Sequence, residues 1–230
     1  MLHTTPYGES SVVVRVFTRQ LGVRSYIVKG VRGARGRVKQ NLLQPLSSLD
    51  MVVYDNPHND LNHIKELSPR HPDPQAPGQS SSQAIENALR FFMTEVLYKA
   101  LHEDEPMPDL FDYVDCLNSS LLTPHSSLPI TFLLTVARHM GIEPLDNYSH
   151  REPLFDLQEG RFVSVATETT LSPELSTMLH EYLSPFTSHL SPFTLTERRS
   201  LIDALIAYYQ LHLSGFHNFN SHEILHTILK

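Results

Sequence analysis

The sequence predicts an α+β multidomain chain: a small antiparallel β-barrel at the N-terminus, then an all-helical domain carrying a small hairpin insertion. Three observations predict this. The first seventy residues are short β-branched runs divided by turn residues. A proline- and serine-rich stretch follows, and beyond it the apolar period becomes helical.

Residues 12–18, Val-Val-Val-Arg-Val-Phe-Thr, are a strand by their β-branched content, and Gln20-Leu21-Gly22 turns the chain into a second strand over 23–29. Residues 31–41 hold too much glycine and charge for a packed element and read as a mobile basic loop. Strand character resumes over 48–54, Asp55-Asn56-Pro57-His58-Asn59 turns, and residues 61–67 complete a sheet of about five short strands, a pattern that fits a small barrel. The predicted division is a barrel over 1–68, a linker over 69–82 and a helical domain over 83–230.

From Ala84 the residues Ile85, Ala88, Leu89, Phe92, Val96, Leu97, Ala100 and Leu101 share one helical stripe, with Ser81 or Ser82 as its cap. Further helices are expected over 108–122, over 129–140 with Gly141 as a left-handed stop, and from Pro173 behind Ser172. Thr194 and Glu197 form a capping box that opens the longest helix, running to Gly215. Within 148–168, residues 154–163 read as a hairpin turning at Gln158-Glu159-Gly160.

Two hundred and thirty residues with 40% hydrophobic content suffice for real cores. No run of about eighteen apolar residues exists, the first residues lack a secretory pattern, and a single cysteine excludes an internal disulfide. These features suggest a reduced, cytoplasmic protein. Cys116 lies in a helical pattern as a small buried thiol.

Charge is the most informative functional feature. The chain is acidic, at −7, yet between Glu9 and Asp50 it holds eight cations and no acid: Arg15, Arg19, Arg24, Lys29, Arg32, Arg35, Arg37 and Lys39. Residues 1–72 carry ten basic against five acidic side chains, whereas residues 73–230 carry eight against twenty. Ordinary surfaces intersperse the signs, so the segregation points to a polyanion. Strand alternation puts Arg15 beside Phe17 and Arg24 beside Tyr26, and a ring next to a guanidinium suits single-stranded nucleic acid, whose bases stack while cations follow the phosphates. In the loop, Gly33 and Gly36 interleave the cations and let backbone approach phosphate. The alternative is a solvated charged surface with Phe17 and Tyr26 in the core.

His222-Glu223-Ile224-Leu225-His226 matches H-E-x-x-H, the pattern of a zinc hydrolase with Glu223 as general base. Its place on a short terminal helix argues against a rigid catalytic site. The acids Glu103, Asp104, Glu105, Asp109 and Asp112 read as a solvated helix end rather than a cation site. The chain holds no P-loop, no G-x-S-x-G and no Rossmann fingerprint. The expectation is a protein that is not an enzyme and takes no cofactor or small-molecule substrate. Its rivals are an RNA-binding module, a metalloenzyme on His222 and His226, and an adaptor for an acidic protein.

In order along the chain, Tyr7-Gly8-Glu9-Ser10-Ser11, Thr18-Arg19-x-x-Gly22, Val28-Lys29-Gly30-Val31-Arg32, the basic loop and Gln44-Pro45-Leu46 resemble the bacterial RecO recombination-repair mediators. So do Tyr208-Tyr209-x-x-His212-x-x-Gly215 and Ser221-x-x-x-Leu225 near the other end. The resemblance implies an N-terminal OB-fold before an all-helical domain. It implies binding of single- and double-stranded DNA, annealing of complementary strands, and help in loading recombinase onto strands coated by single-strand-binding protein. The partners implied are RecR and the acidic C-terminal tail of single-strand-binding protein, in a cytoplasmic, nucleoid-associated setting without a membrane. The DNA-binding candidates are Arg15, Arg19, Arg24, Tyr26, Lys29, Arg32, Arg35, Arg37 and Lys39. Arg90, Lys99 and Arg138 are candidates for partner binding, chosen from sparse positive charge. Two departures from the family stand out. Many relatives carry a cysteine zinc cluster where residues 148–163 here hold no cysteine, so a hairpin without structural zinc is expected. Relatives also begin several residues earlier, so either the first strand is short or the true start lies upstream.

Overall fold

A computed structural model describes residues 1–31, 36–54, 61–70, 81–120, 127–184 and 193–228. Five strands form the N-terminal sheet: β1 (His3–Tyr7), β2 (Ser11–Thr18), β3 (Gly22–Val28), β4 (Leu49–Val53) and β5 (Asn62–Pro69). Their order is β1-β2-β3-β5-β4, with β3 and β5 parallel and the other pairs antiparallel. This is the OB-like sheet expected. Met1 N donates to Ser47 O and Leu46 N donates to Met1 O, both at 3.0 Å, so the run into β4 lies against the start of β1 and one edge of the sheet approaches the other.

Side-chain alternation builds the interior. Val12, Val14 and Val16 point to one face of β2 and stand opposite Val28, Tyr26 and Arg24 of β3. The valines join Tyr26, Val28, Val31 and Leu43 in a buried cluster, against which Leu49, Met51, Val53, Ile64 and Leu67 pack half-buried. Each fully buried valine contributes roughly 1.5 kcal/mol or more, so a slip of one register position in β2, which would turn three of them outward, is strongly disfavoured.

Over 37–41, part of the stretch expected as a loop, the chain is a short helix, α1 (Arg37–Leu42), following Gly36. The cause is the burial of Leu43 just beyond the helix: together with Val31 it anchors both ends of the segment in the core. Residues 71–80, most of the expected linker, lie outside the described residues, as do the side chains of Ser81 and Ser82 expected to cap the next helix.

The chain divides into two compact units, Met1–Thr123 and Pro124–Lys230. The first therefore holds α2 (Ser81–Ala100) and α3 (Pro108–Ser120) together with the sheet. Phe92, Met93, Val96 and Leu97 of α2 and Leu110 and Val114 of α3 are buried. Cys116 is exposed rather than buried, because Leu110 and Val114 take the inward stripe of α3 and residue 116 falls outside it.

The second unit comprises α4 (Leu128–His139), β6 (Leu154–Asp156), β7 (Arg161–Val163), α5 (Pro173–Leu183), α6 (Leu195–His212) and α7 (Ser221–Ile228). The signals that open and close its helices act as read. Gly141 follows α4 in the left-handed conformation, Ser172 accepts from Leu175 N, and Thr194 and Glu197 make both bonds of the capping box. Helix α6, however, ends at His212, a residue type that suits a helix C-terminus, rather than at Gly215, and at 18 residues it is shorter than α2 at 20. The Tyr208-Tyr209-x-x-His212 signature proves to be a set of staples. Tyr209 OH donates to Leu133 O at 2.6 Å, Tyr208 OH donates to Ile142 O at 2.8 Å, and His212 Nε2 lies 2.9 Å from Leu157 O. One helix thereby holds α4, the turn after α4 and the hairpin.

Strands β6 and β7 form the expected hairpin, with Phe155 and Phe162 edge to face at 5.1 Å and both buried. Asp156, only 2% exposed, organises the loops around it. Its carboxylate accepts from the amides of Gln158 and Glu159 at 2.8 and 2.9 Å and from the hydroxyls of Thr167 and Thr169 at 2.5 and 3.0 Å. Burial alone would push this carboxyl up, but the four donors together hold it below the usual carboxylate range. A saturated carboxylate thus ties together the loops around the hairpin.

A carboxyl held below its unfolded value contributes stability that is fully present above about pH 4, the unfolded aspartate value, and is lost as pH falls through the folded value. Asp156→Asn should therefore lower the melting temperature by a constant amount between pH 5 and 7.5, with the difference shrinking below about pH 4. Parallel melting curves of the two proteins down to pH 3 would contradict this.

Candidate nucleic-acid interface

The basic island splits into two physically different halves. In the first, the strand cations are engaged by acids of the α2–α3 region. Arg15 lies over the Tyr98 ring at 4.8 Å and 3.8 Å from Glu103, and Tyr98 also meets the His3 ring at 5.1 Å. Arg19 makes a two-pronged bond to Asp112, Nε to Oδ1 at 2.8 Å and Nη2 to Oδ2 at 2.9 Å. Arg24 reaches Asp104 at 2.7 Å and also donates to Leu21 O. Arg70, at the end of β5, pairs with Asp115 at 3.4 Å and lies over Phe111 at 5.8 Å, and Ser48 Oγ donates to the same Asp115. The hydrogen bonds from Arg19 hold the Asp112 carboxyl below its usual value. Three of the acids read as a solvated helix end, Glu103, Asp104 and Asp112, are thus counter-ions of the sheet, joined by Asp115. Contact across 45 to 93 residues of chain makes that pairing invisible to a count along the sequence.

The backbone that arranges these pairs is specific. Asp104 N donates to Val23 O at 3.3 Å, and Val23 bridges Glu103. Gly22, at φ +67°, lies so close that a Cβ there would meet the Glu105 backbone at 2.4–2.6 Å. Asp104 itself holds a positive φ of 64°, which aspartate tolerates better than most residues.

The rings do not lie where base stacking needs them. Tyr26 is 5% exposed, inside the sheet cluster and opposite Val14, and Phe17 is 8% exposed, edge to face with Phe111 at 5.6 Å. Alternation does place Arg24 and Tyr26 on one side of β3. That side is the interior, and Arg24 escapes it at the open end of the strand. Exposed rings next to the sheet are instead Tyr7 and Tyr54, whose position at strand ends next to turns was the available signal, while Phe91 is exposed on α2.

The second half of the island starts at Lys29, exposed at the end of β3. Val31 N donates to Ser10 O at 2.8 Å and anchors the chain there. Arg32 and Arg35 lie outside the described residues, as do the side chains of Arg37 and Lys39, although the backbone of both belongs to α1.

The partner candidates are engaged close to home. Arg90 donates to Asn118, Lys99 lies 3.9 Å from Glu95 one turn away, and Arg138 donates to Glu143 at 2.7 Å. On α7, His222 and His226 turn toward Asp203 of α6 at 4.0 and 3.5 Å, Leu225 is buried and Glu223 is exposed. Burial lowers the His226 value and raises that of Asp203. The two histidines and Leu225 thus pack α7 against α6, and among the described residues no group of three His, Cys, Asp or Glu side chains is placed to hold a metal ion. No described helix is long and apolar enough to cross a membrane.

The architecture defines a two-unit protein with an N-terminal OB-like sheet, a basic segment anchored at its rim, and helices after it. Residues 1–72 match the family described as recombination protein O N terminal. Over nearly the whole length, the chain is similar to the DNA repair protein RecO of Porphyromonas gingivalis, 29% identical over 241 residues and covering 99% of this chain and 96% of that protein. The DNA repair protein RecO of Phocaeicola vulgatus is 28% identical, with 98% and 95% covered, and that of Flavobacterium johnsoniae 27%, with 99% and 96% covered. The chain thus matches this family over its N-terminal third and resembles proteins named DNA repair protein RecO over nearly its whole length.

Gly22→Ala should cost stability twice, through strain at positive φ and through the clash with Glu105, for a total of about 2–4 kcal/mol. Gly8→Ala, also at positive φ (61°) but with nothing within 4 Å, should cost roughly 1 kcal/mol. Equal losses in urea denaturation would remove the case for a specific backbone docking at Gly22.

Proposed function

We propose that this protein is a DNA repair protein of the mediator type, acting by binding and not by covalent chemistry. The observation that carries the reading is the segment from Lys29 to Lys39, which places five cations in eleven residues without an acid and is anchored in the core at Val31 and Leu43. The full-length likeness to proteins named DNA repair protein RecO supports DNA as the polyanion. Lys29, Arg32, Arg35, Arg37 and Lys39 neutralise phosphates and release their counterions. Two strands neutralised at one surface repel each other less, which lets complementary bases meet and anneal. By family likeness, the protein then helps place recombinase on strands coated by single-strand-binding protein, with RecR and the acidic tail of single-strand-binding protein as its partners. The acidic excess of residues 73–230 disfavours DNA along most of the helical part and leaves that surface to proteins.

Replacing Arg35, Arg37 and Lys39 together by glutamate should weaken binding to a single-stranded oligonucleotide at least about tenfold at 0.1 M salt. It should also flatten the log–log salt dependence by about 2, at roughly 0.7 for each phosphate that is no longer neutralised. Fluorescence anisotropy across a salt titration reads both, and binding unchanged by the triple replacement would overturn the assignment. Competition between matched DNA and RNA oligomers should show no preference for RNA. A clear RNA preference would mean that 2′-hydroxyls are read and that the protein is an RNA-binding module.

A further inference from the structure

We propose that the acidic segment from Glu103 to Asp115 is a built-in competitor of nucleic acid, occupying a second arginine surface made by Arg15, Arg19, Arg24 and Arg70. This inference rests on the nucleic-acid reading above.

Three features carry it. First, the arginines converge. Thr18 pairs with Gly22, so Arg19 lies in the turn between β2 and β3. Val16 pairs with Arg24, which brings Arg24 close to Arg15 across the strands. Glu103 and Asp104, adjacent in sequence, then receive Arg15 and Arg24 from these two strands. Asp112 and Asp115, on one face of α3, receive Arg19 and Arg70. Four guanidinium groups are thus gathered over one short acidic segment.

Second, the acids bind as a phosphate would. The fork of Arg19 on the two oxygens of Asp112 has the geometry an arginine uses for two phosphate oxygens. The Arg24 contact at 2.7 Å has the length of a charge-assisted bond.

Third, two of the four pairs, those of Arg19 and Arg24, are exchangeable. Arg19 and Asp112 are 51% and 50% exposed, and Arg24 and Asp104 are 43% and 64% exposed. Exposed pairs of this kind add little to stability, because water and salt screen them, so a phosphate arriving with its own counterion release displaces the carboxylate without unfolding anything. Only side chains need to turn, since the backbone contact at Gly22 and Val23 holds the segment in place. Surface pairs serving stability alone would gain little from such convergence. A reversible mask over a basic face limits weak, non-specific binding and reserves that face for DNA already captured at Lys29 to Lys39.

The experiment is a double-mutant cycle on the full chain, with Asp112→Asn, Arg19→Ala and the pair. Anisotropy of a labelled oligothymidylate is measured from 50 to 300 mM salt, with thermal melts as the folding control. Asp112→Asn should bind about three- to tenfold more tightly at low salt, with a salt slope steeper by roughly 0.7 for the one arginine released. In the Arg19→Ala background the same change should give no gain. That result separates release of Arg19 from the general effect of removing one negative charge. Asp104→Asn should give a second, independent gain through Arg24. Unchanged or weaker binding by Asp112→Asn, or an equal gain with and without Arg19, overturns the mask while leaving the proposed function intact. Failure of the wild-type protein to bind the oligonucleotide at any salt overturns the proposed function itself, and the mask with it.

Discussion

The first unit depends on one close approach, the backbone of Glu103–Glu105 laid directly against Gly22 and Val23. No side chain fits between them, and the positive φ at Gly22 is what lets the strand begin there. This contact brings the end of α2 and the start of α3 to the rim of the sheet. The pairing of Arg15, Arg19, Arg24 and Arg70 follows from it, as does the burial of Phe17 under Phe111. The exposed pairs of Arg19 and Arg24 are weak and replaceable, whereas the backbone contact that positions them is not. Rigid placement with soft electrostatics suits the counter-ion exchange proposed for this surface.

The second unit is organised differently, by hydrogen bonds from buried polar atoms. Tyr208, Tyr209 and His212 tie three separate pieces of chain to α6, and Asp156 gathers the loops around the hairpin. A buried carboxylate saturated by four donors gives a tight, pH-dependent tie. It answers the difficulty of a short hairpin with too little apolar surface to hold itself.

Charge shows how far a linear count can mislead. Along the chain the N-terminal third is basic and the remainder acidic, as if the two halves sought different partners. In space, four of the acids answer four of the arginines, and within the island the contrast is sharpest from Lys29 to Lys39. Likeness to RecO proteins and this anchored segment together support the proposed DNA binding, and in that proposal the paired arginines are its point of control.

Much of this protein is set locally and could be read from the residues. The period-two valines of β2, the helical stripe of α2, the stop at Gly141, the capping box at Thr194 and the hairpin around Gly160 each obey rules that act over a few residues. The family signature was legible for the same reason, as short motifs in a fixed order. Tertiary structure alone decided which face of β2 and β3 became the interior, because alternation defines two faces without naming the buried one. That choice enclosed Tyr26, laid Phe17 under a helix, and set Arg15 and Arg19 against acids some ninety residues away. It also ordered α1 by burying Leu43, and it placed Cys116 outside the stripe of α3. Ion pairing and burial depend on distance in space, and a sequence records only distance along the chain.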